Sequence, residues 1–300
     1  MDNNRRATLL ALSAVLLWST VATAFKLGLG VLTPVQLLLI GAVISTICFW
    51  VVAFFRGQYR LPLGQWGLAA GMGLLNPVCY YLVLFAAYDR LPAQIAQPLN
   101  YTWVLTLALL SVPLLGQPLQ KRTMVGLLIS YVGVLFVLTR GSWTILTSWD
   151  ATGIALVLFS TLIWSLYWIL SARTSSHALP LMAWSFSFSI PVLIILTAMQ
   201  GDWPTLTAST LLIGAWVGLV EMGVTFLLWQ RALQLTSRAA RLGQLVFLSP
   251  FLSLIFIATI LGETISAWSV VGLVIIVAGI LWSSRSAPAS AAVRADSGSQ

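Results

Sequence analysis

A chain of 300 residues that is 59% apolar and only 7% charged cannot form soluble domains, because an ordinary globular surface needs roughly a quarter charged residues. It requires a bilayer as solvent. The net charge of +8 comes from basic residues set singly between apolar runs, a topology signal rather than a phosphate-binding stripe, so no nucleic-acid partner is implied. Cys48 and Cys79 both lie inside apolar runs, which excludes a disulfide framework and a cysteine-rich metal site.

A membrane-crossing helix needs about 20 mostly apolar residues, and ten such runs follow one another along the chain. In the first half they are Ala7–Leu27, Thr33–Phe55, Leu63–Tyr88, Pro92–Leu115 and Arg122–Thr139. The second half gives Thr152–Ala172, Leu179–Met199, Thr210–Leu233, Arg238–Leu261 and Ser266–Ser284. Connections are short and carry Gly, Pro and charge, and the Ala/Ser-rich stretch 285–300 reads as a disordered cytoplasmic tail. The expected fold is therefore an all-α integral membrane protein with ten transmembrane helices.

With both termini inside, twelve Lys/Arg residues fall in cytoplasmic loops and tails and three, Lys26, Arg90 and Arg140, fall outside. The positive-inside rule favours this orientation. Arg5-Arg6, the apolar stretch after them and Ala22-Thr23-Ala24 together look like a cleavable signal peptide. An internal repeat argues against that reading. Shifting the chain by 146 residues lays Trp18-Ser19 on Trp164-Ser165, Pro34 on Pro180 and Leu115-Gly116 on Leu261-Gly262. The same offset lays Val125-Gly126-Leu127 on Val271-Gly272-Leu273 and Gly133 on Gly279. The first segment thus has an internal counterpart and is a mature helix. Five helices per unit, an odd number, make the second copy (147–284) enter from the opposite side to the first (1–146), the inverted repeat that alternating-access transporters use.

Five plus five helices, the Trp-Ser pair opening each half and Leu261-Gly262-Glu263 resemble the drug/metabolite transporter superfamily, in its EamA-type branch. Leu17-Trp18-Ser19-Thr20, with Lys26 near the end of that helix, and Asn100-Tyr101-Thr102-Trp103 look like the YddG-like aromatic amino-acid exporters. Gln117 departs from the Leu-Gly-Glu pattern in the first half, and Val104 replaces a proline that often follows the aromatic pair. The resemblance implies export across a bacterial inner membrane, with an amino acid, preferably aromatic, as the small-molecule substrate. Other metabolites or lipophilic drugs remain the alternative within the same fold.

The substrate site is expected near the midplane beside interrupted helices. Pro77 and Pro250, preceded by Asn76 and Ser249, would free backbone carbonyls there, whereas Pro191 reads as a packing kink. Trp18, Trp103 and Trp164 lie near helix centres, where an interfacial belt does not account for them. They are either ordinary packing or a cage for a flat side chain. Asn100, Tyr101 and Trp103, then Trp164 and Tyr167, offer amide, hydroxyl and ring surfaces to such a substrate, with Gln244 and Ser249 on the ninth helix and Tyr81 taken over Tyr80 on the third. Trp229, near a helix end, is assigned to the interfacial belt. Glu221 is the only acid deep in an apolar run, and it is read as a charge partner for a substrate amine, a proton-exchange site or a solvated acid. Lys26 either snorkels or attracts a carboxylate.

Gly126, Ser130 and Gly133, with Gly272 and Gly279, form small-residue faces that serve as a helix–helix contact or a dimer seam. Monomer and homodimer both stay open. An intramembrane enzyme would want a Ser–His pair, paired aspartates or a His-Glu-x-x-His zinc motif, but the only histidine, His177, falls in a loop and no Asp lies deep in a helix. No enzyme and no cofactor is expected.

Overall fold

The computed structural model describes residues 3–116, 121–140, 149–172, 178–235 and 244–284. Every regular element among them is helical, and no strand occurs. In chain order the helices are α1 (Asn3–Leu29), α2 (Pro34–Phe55), α3 (Leu63–Arg90), α4 (Ala93–Leu114), α5 (Lys121–Thr139), α6 (Ala151–Ala172), α7 (Ala178–Gln200), α8 (Ala208–Ala232), α9 (Leu245–Ile260) and α10 (Ala267–Ser284). Seven, α1–α4 and α6–α8, are long and apolar enough to cross a membrane, and α5, α9 and α10 hold shorter apolar stretches. The bounds follow the apolar runs closely. For α9 the expected start at Arg238 lies outside the described residues, as do His177, the Gln244 side chain and the tail after Ser284.

Several helices are interrupted, each for a local reason. In α1 the Ser19 and Thr20 hydroxyls donate to the Leu16 and Leu17 carbonyls at 2.5 and 2.8 Å, a competition with the backbone ladder that bends helices. In α3, Pro77 sits in a wide π-helical turn, Leu74–Cys79, after an extended Asn76 and a cis Asn76–Pro77 bond. A second π-helical stretch, Trp216–Val224, occupies the middle of α8. Pro191 is held inside the continuous α7. Pro250 does not kink the middle of a helix as the sequence suggests. It stands in the first turn of Ser249–Ile260, after the 3-10 stretch Gln244–Leu248, where a missing N–H costs no hydrogen bond.

Packing rests on small residues. A Cβ on Gly133 would meet the Gly272 carbonyl, and one on Gly279 would meet the Gly126 carbonyl, so α5 and α10 run antiparallel in backbone contact. Ser130 Oγ adds a bond to the Ile276 carbonyl at 3.0 Å. The small-residue faces thus meet within one chain. Ser45 of α2 donates to the Gly218 carbonyl of α8 at 2.8 Å, and Trp50 Nε1 reaches Ser187 Oγ of α7 at 2.8 Å. The end of α3 packs on α6, and α1 packs on the end of α8. These four helices, with α4 and the start of α9, surround the cavity described next.

Candidate functional site

A cavity in which the centre of a water-sized sphere can sweep about 90 Å³ has space for several waters. Its wall comes from α1, α3, α4, α6, α8 and α9. Trp18, Asn100, Tyr101, Trp103, Trp164 and Glu221, all singled out in the sequence, line this one space. Tyr80 lines it and Tyr81 does not. Consecutive helical side chains point about 100° apart, and here Tyr81 turns away with its hydroxyl on Glu221 Oε1 at 3.0 Å.

Trp164 is the centre of an aromatic cluster. It stacks with Tyr80 at 4.4 Å between centroids and with Tyr167 at 5.7 Å. Trp103, Trp168 and Phe226 meet it edge-on. Tyr167 therefore supports the wall from behind Trp164 and is absent from the lining. Asn100 Nδ2 donates to Ser160 Oγ at 3.2 Å, which orients the amide. Ser249 is fully buried, and it too stands outside the lining. Pro77 and Pro250 do not line the cavity, and Asn76 beside Pro77 is fully buried.

Glu221 is 8% exposed, and its second oxygen, Oε2, has no protein partner. The π-helical stretch of α8 presents it to the cavity. Among the described residues no lysine or arginine lines the space. Trp229 lies two turns beyond Glu221, lines the same wall and packs on Trp18 at 5.5 Å. Assigning it to an interfacial belt by depth alone is thus corrected. The signal was present, since residues 221, 225 and 229 share one helical face. Phe25 and Tyr88 are further lining residues that the sequence reading passed over. Phe25 stands seven residues from Trp18, again at helical spacing.

The two ends of the cavity differ. Phe25, Leu84 and Tyr88 are only 1–2% exposed, and the Tyr88 hydroxyl is bonded to Gln97. At the other end Trp18, Trp168 and Val246 are half-buried. The tight end is cross-linked. Lys26 Nζ donates to the Tyr88 and Leu91 carbonyls at 2.7 and 3.3 Å, so it caps the C-terminus of α3 and stays out of the main cavity. Glu263 accepts from the Ala93 and Gln94 amides at 2.9 and 3.2 Å, capping the N-terminus of α4 where its charge meets the positive end of the helix dipole. Gln94 in turn bonds the Thr264 carbonyl and the Ser266 amide. Arg90 pairs with Asp150 at 3.0 Å. The Gly153 amide first, and the Arg90 hydrogen bond next, hold the Asp150 carboxyl below its usual range. Lys26, Arg90, Arg140 and Glu263 share a second, shallower pocket at this end, which gathers the three basic residues that the charge count puts on one side.

The EamA-like transporter family model matches the chain twice, over residues 5–139 and 151–285. Among curated proteins, an uncharacterized transporter of Archaeoglobus fulgidus is 22% identical over 93% of this chain and 96% of its own length. A probable amino-acid metabolite efflux pump of Salmonella typhimurium is 25% identical over 92% of this chain and 94% of its own. The uncharacterized transporter YyaM of Bacillus subtilis is 24% identical, the match covering 59% of each chain. A solved crystal structure superposes with a TM-score of 0.65 over 92% of this chain and 97% of the other, at 22% identity. That likeness shows the fold alone. The names of the family and of these relatives are those of transporters rather than enzymes.

Proposed function

The chain belongs to the EamA-like transporter family, and from that premise we propose that it is a secondary transporter of ten transmembrane helices that exports amino acids, preferably aromatic, and related metabolites. It works by alternating access in a bacterial inner membrane, with both termini cytoplasmic.

An inverted repeat of residues 1–146 and 147–284 is supported by relations that survive the shift of 146. The two family matches begin and end 146 residues apart. The Gly133–Gly272 contact becomes Gly279–Gly126 under the shift, and both pairs touch. The π-helical turn at Leu74–Cys79 falls on the end of the one at Trp216–Val224. Gly116 and Gly262, equivalent positions, adopt φ of 65° and 68°. The α3–α6 packing becomes α8–α1, which also packs. In such a repeat the substrate sits between the halves, and rocking exposes it to either side.

The carrying observation for substrate class is the cavity wall, where Trp18, Tyr80, Trp103, Trp164, Trp168 and Trp229 surround one carboxylate, Glu221, and two amides, Gln97 and Asn100. Ring pairs with a bound aromatic side chain would add about 0.5–1.5 kcal/mol each beyond burial. The efflux pump of Salmonella typhimurium is a relative with an amino-acid metabolite in its name, which favours the same class. The substrate-binding set is Trp18, Tyr80, Asn100, Tyr101, Trp103 and Trp164, with Tyr81, Tyr167, Gln244 and Ser249 in support and Glu221 as charge partner.

Counterflow in liposomes tests this. Labelled phenylalanine is offered outside, with unlabelled phenylalanine, threonine or a lipophilic cation preloaded. Acceleration by phenylalanine alone is expected. Equal acceleration by threonine removes the aromatic preference, and acceleration only by the cation replaces amino-acid export with drug export.

A further inference from the structure

Resting on the reading that this cavity is the transport site, we propose that it recognises its substrate through an ammonium group at Oε2 of Glu221, and that a substrate carboxylate is dispensable. The site accordingly takes arylalkylamines at least as well as aromatic amino acids, and rejects aryl carboxylates.

Glu221 carries the case. A carboxylate with one oxygen held by the Tyr81 hydroxyl at 3.0 Å and the other buried without a partner is an incomplete hydrogen-bonding group, and buried charge needs completion. An ammonium supplies both the donor and the charge. The surroundings suit that ion. Trp18, Trp164, Trp168 and Trp229 share the wall with Glu221, and indole faces attract cations, best of all when water is excluded.

Nothing comparable awaits a carboxylate. Among the described residues the lining holds no lysine or arginine, and Lys26 is committed to the Tyr88 and Leu91 carbonyls. The donors left are all neutral: the Trp168 indole N–H, which has no partner, and the amides of Gln97 and Asn100 with the hydroxyls of Tyr80 and Tyr101 on the wall. An anion without an amine would instead face Glu221 across a space of low dielectric, where repulsion is poorly screened.

Four probes with related shapes separate the groups: phenethylamine, phenylalanine, 3-phenylpropanoate and n-pentylamine. Each is titrated into the purified full-length protein, wild type and Glu221→Gln, with intrinsic tryptophan fluorescence as readout. Phenethylamine is expected to bind at least as tightly as phenylalanine, with 3-phenylpropanoate about tenfold weaker or worse, the scale of one charged hydrogen bond. Glu221→Gln, which keeps the shape and the Tyr81 bond, should remove that gap by weakening phenethylamine about tenfold. A Tyr81→Phe variant leaves the carboxylate in place and should preserve the order of the probes.

Binding of 3-phenylpropanoate as tight as that of phenethylamine overturns the proposal, as does an unchanged order in Glu221→Gln or the failure of both amines to bind. Phenylalanine binding that ignores Glu221 ends the ammonium seat and leaves aromatic export standing. Pentylamine binding as tight as phenethylamine, and lost in Glu221→Gln, keeps the seat and ends the aromatic preference.

Discussion

Tyr81 and Glu221 join α3 to α8 through one hydrogen bond of 3.0 Å, between side chains 0% and 8% exposed. Each lies in or just after a π-helical turn, where the extra residue per turn re-aims side chains and such turns collect at functional sites. Removing the hydroxyl leaves a buried carboxylate oxygen unsatisfied, at a cost of about 1–3 kcal/mol. Tyr81→Phe should therefore lower the unfolding temperature in detergent. Glu221→Ala in the Tyr81→Phe background should cost less than Glu221→Ala alone, because contacting residues couple by about 0.5–3 kcal/mol. Additive losses in that double-mutant cycle would mean the bond contributes nothing.

Trp164 offers a different test, because it both lines the cavity and supports it. Its stacking with Tyr80 and Tyr167 predicts that Trp164→Ala costs about 3–5 kcal/mol, as large-to-small aromatic changes do. Trp164→Phe should recover much of that stability while still lowering counterflow. If Trp164→Ala melts with the wild type, the ring has no supporting role.

At the tight end, Glu263→Ala removes the carboxylate that caps α4 at two amides. A loss near 1 kcal/mol follows from the cap and the dipole together. Glu263→Gln should recover part of it, since a side-chain oxygen remains but the charge does not. Thermal unfolding of the three proteins at low ionic strength reads this directly.

The Arg90–Asp150 pair sets a pH expectation at the same end. The folded Asp150 carboxyl titrates below its ordinary value of 3.8, so its contribution is fully present above that value and is lost as pH falls through the lowered one. The stability difference between wild type and Asp150→Asn should stay constant from neutral pH down to about pH 5 and shrink only below about pH 4. A difference that vanishes nearer neutrality would point to another group.

Close backbone contact makes the sharpest substitution test. Gly133→Ala places a methyl against the Gly272 carbonyl and the Ile276 amide, neither able to yield easily. Overpacking of this kind costs about 1–3 kcal/mol. Gly71→Ala, where a Cβ meets nothing, is the control and should melt like the wild type or above it. Equal melting of the two variants would remove the seam as a stability element.

Much of the fold could be read from hydropathy, because a bilayer forces each span to be long and apolar. Pro77 announced the turn in α3, but nothing in Trp216–Val224 announces the one in α8, where no proline occurs. Tertiary packing decides there, and a single sequence does not record it. Depth misassigned Trp229, since distance along a helix says nothing about which face is lined. The choice between Tyr80 and Tyr81 turned on the wide turn just before them, which shifts the direction of every later side chain in α3.

The glycine seam between α5 and α10 also bears on assembly. Faces that look adhesive in the sequence are already spent inside one chain, backbone on backbone, and have no surface left for a second copy. If this protein pairs in the membrane, the pairing must use outward side chains elsewhere, such as the exposed Leu128 and Val132 or Val270 and Val274. A crosslink placed at Gly133 should then join helices within a chain and never two chains.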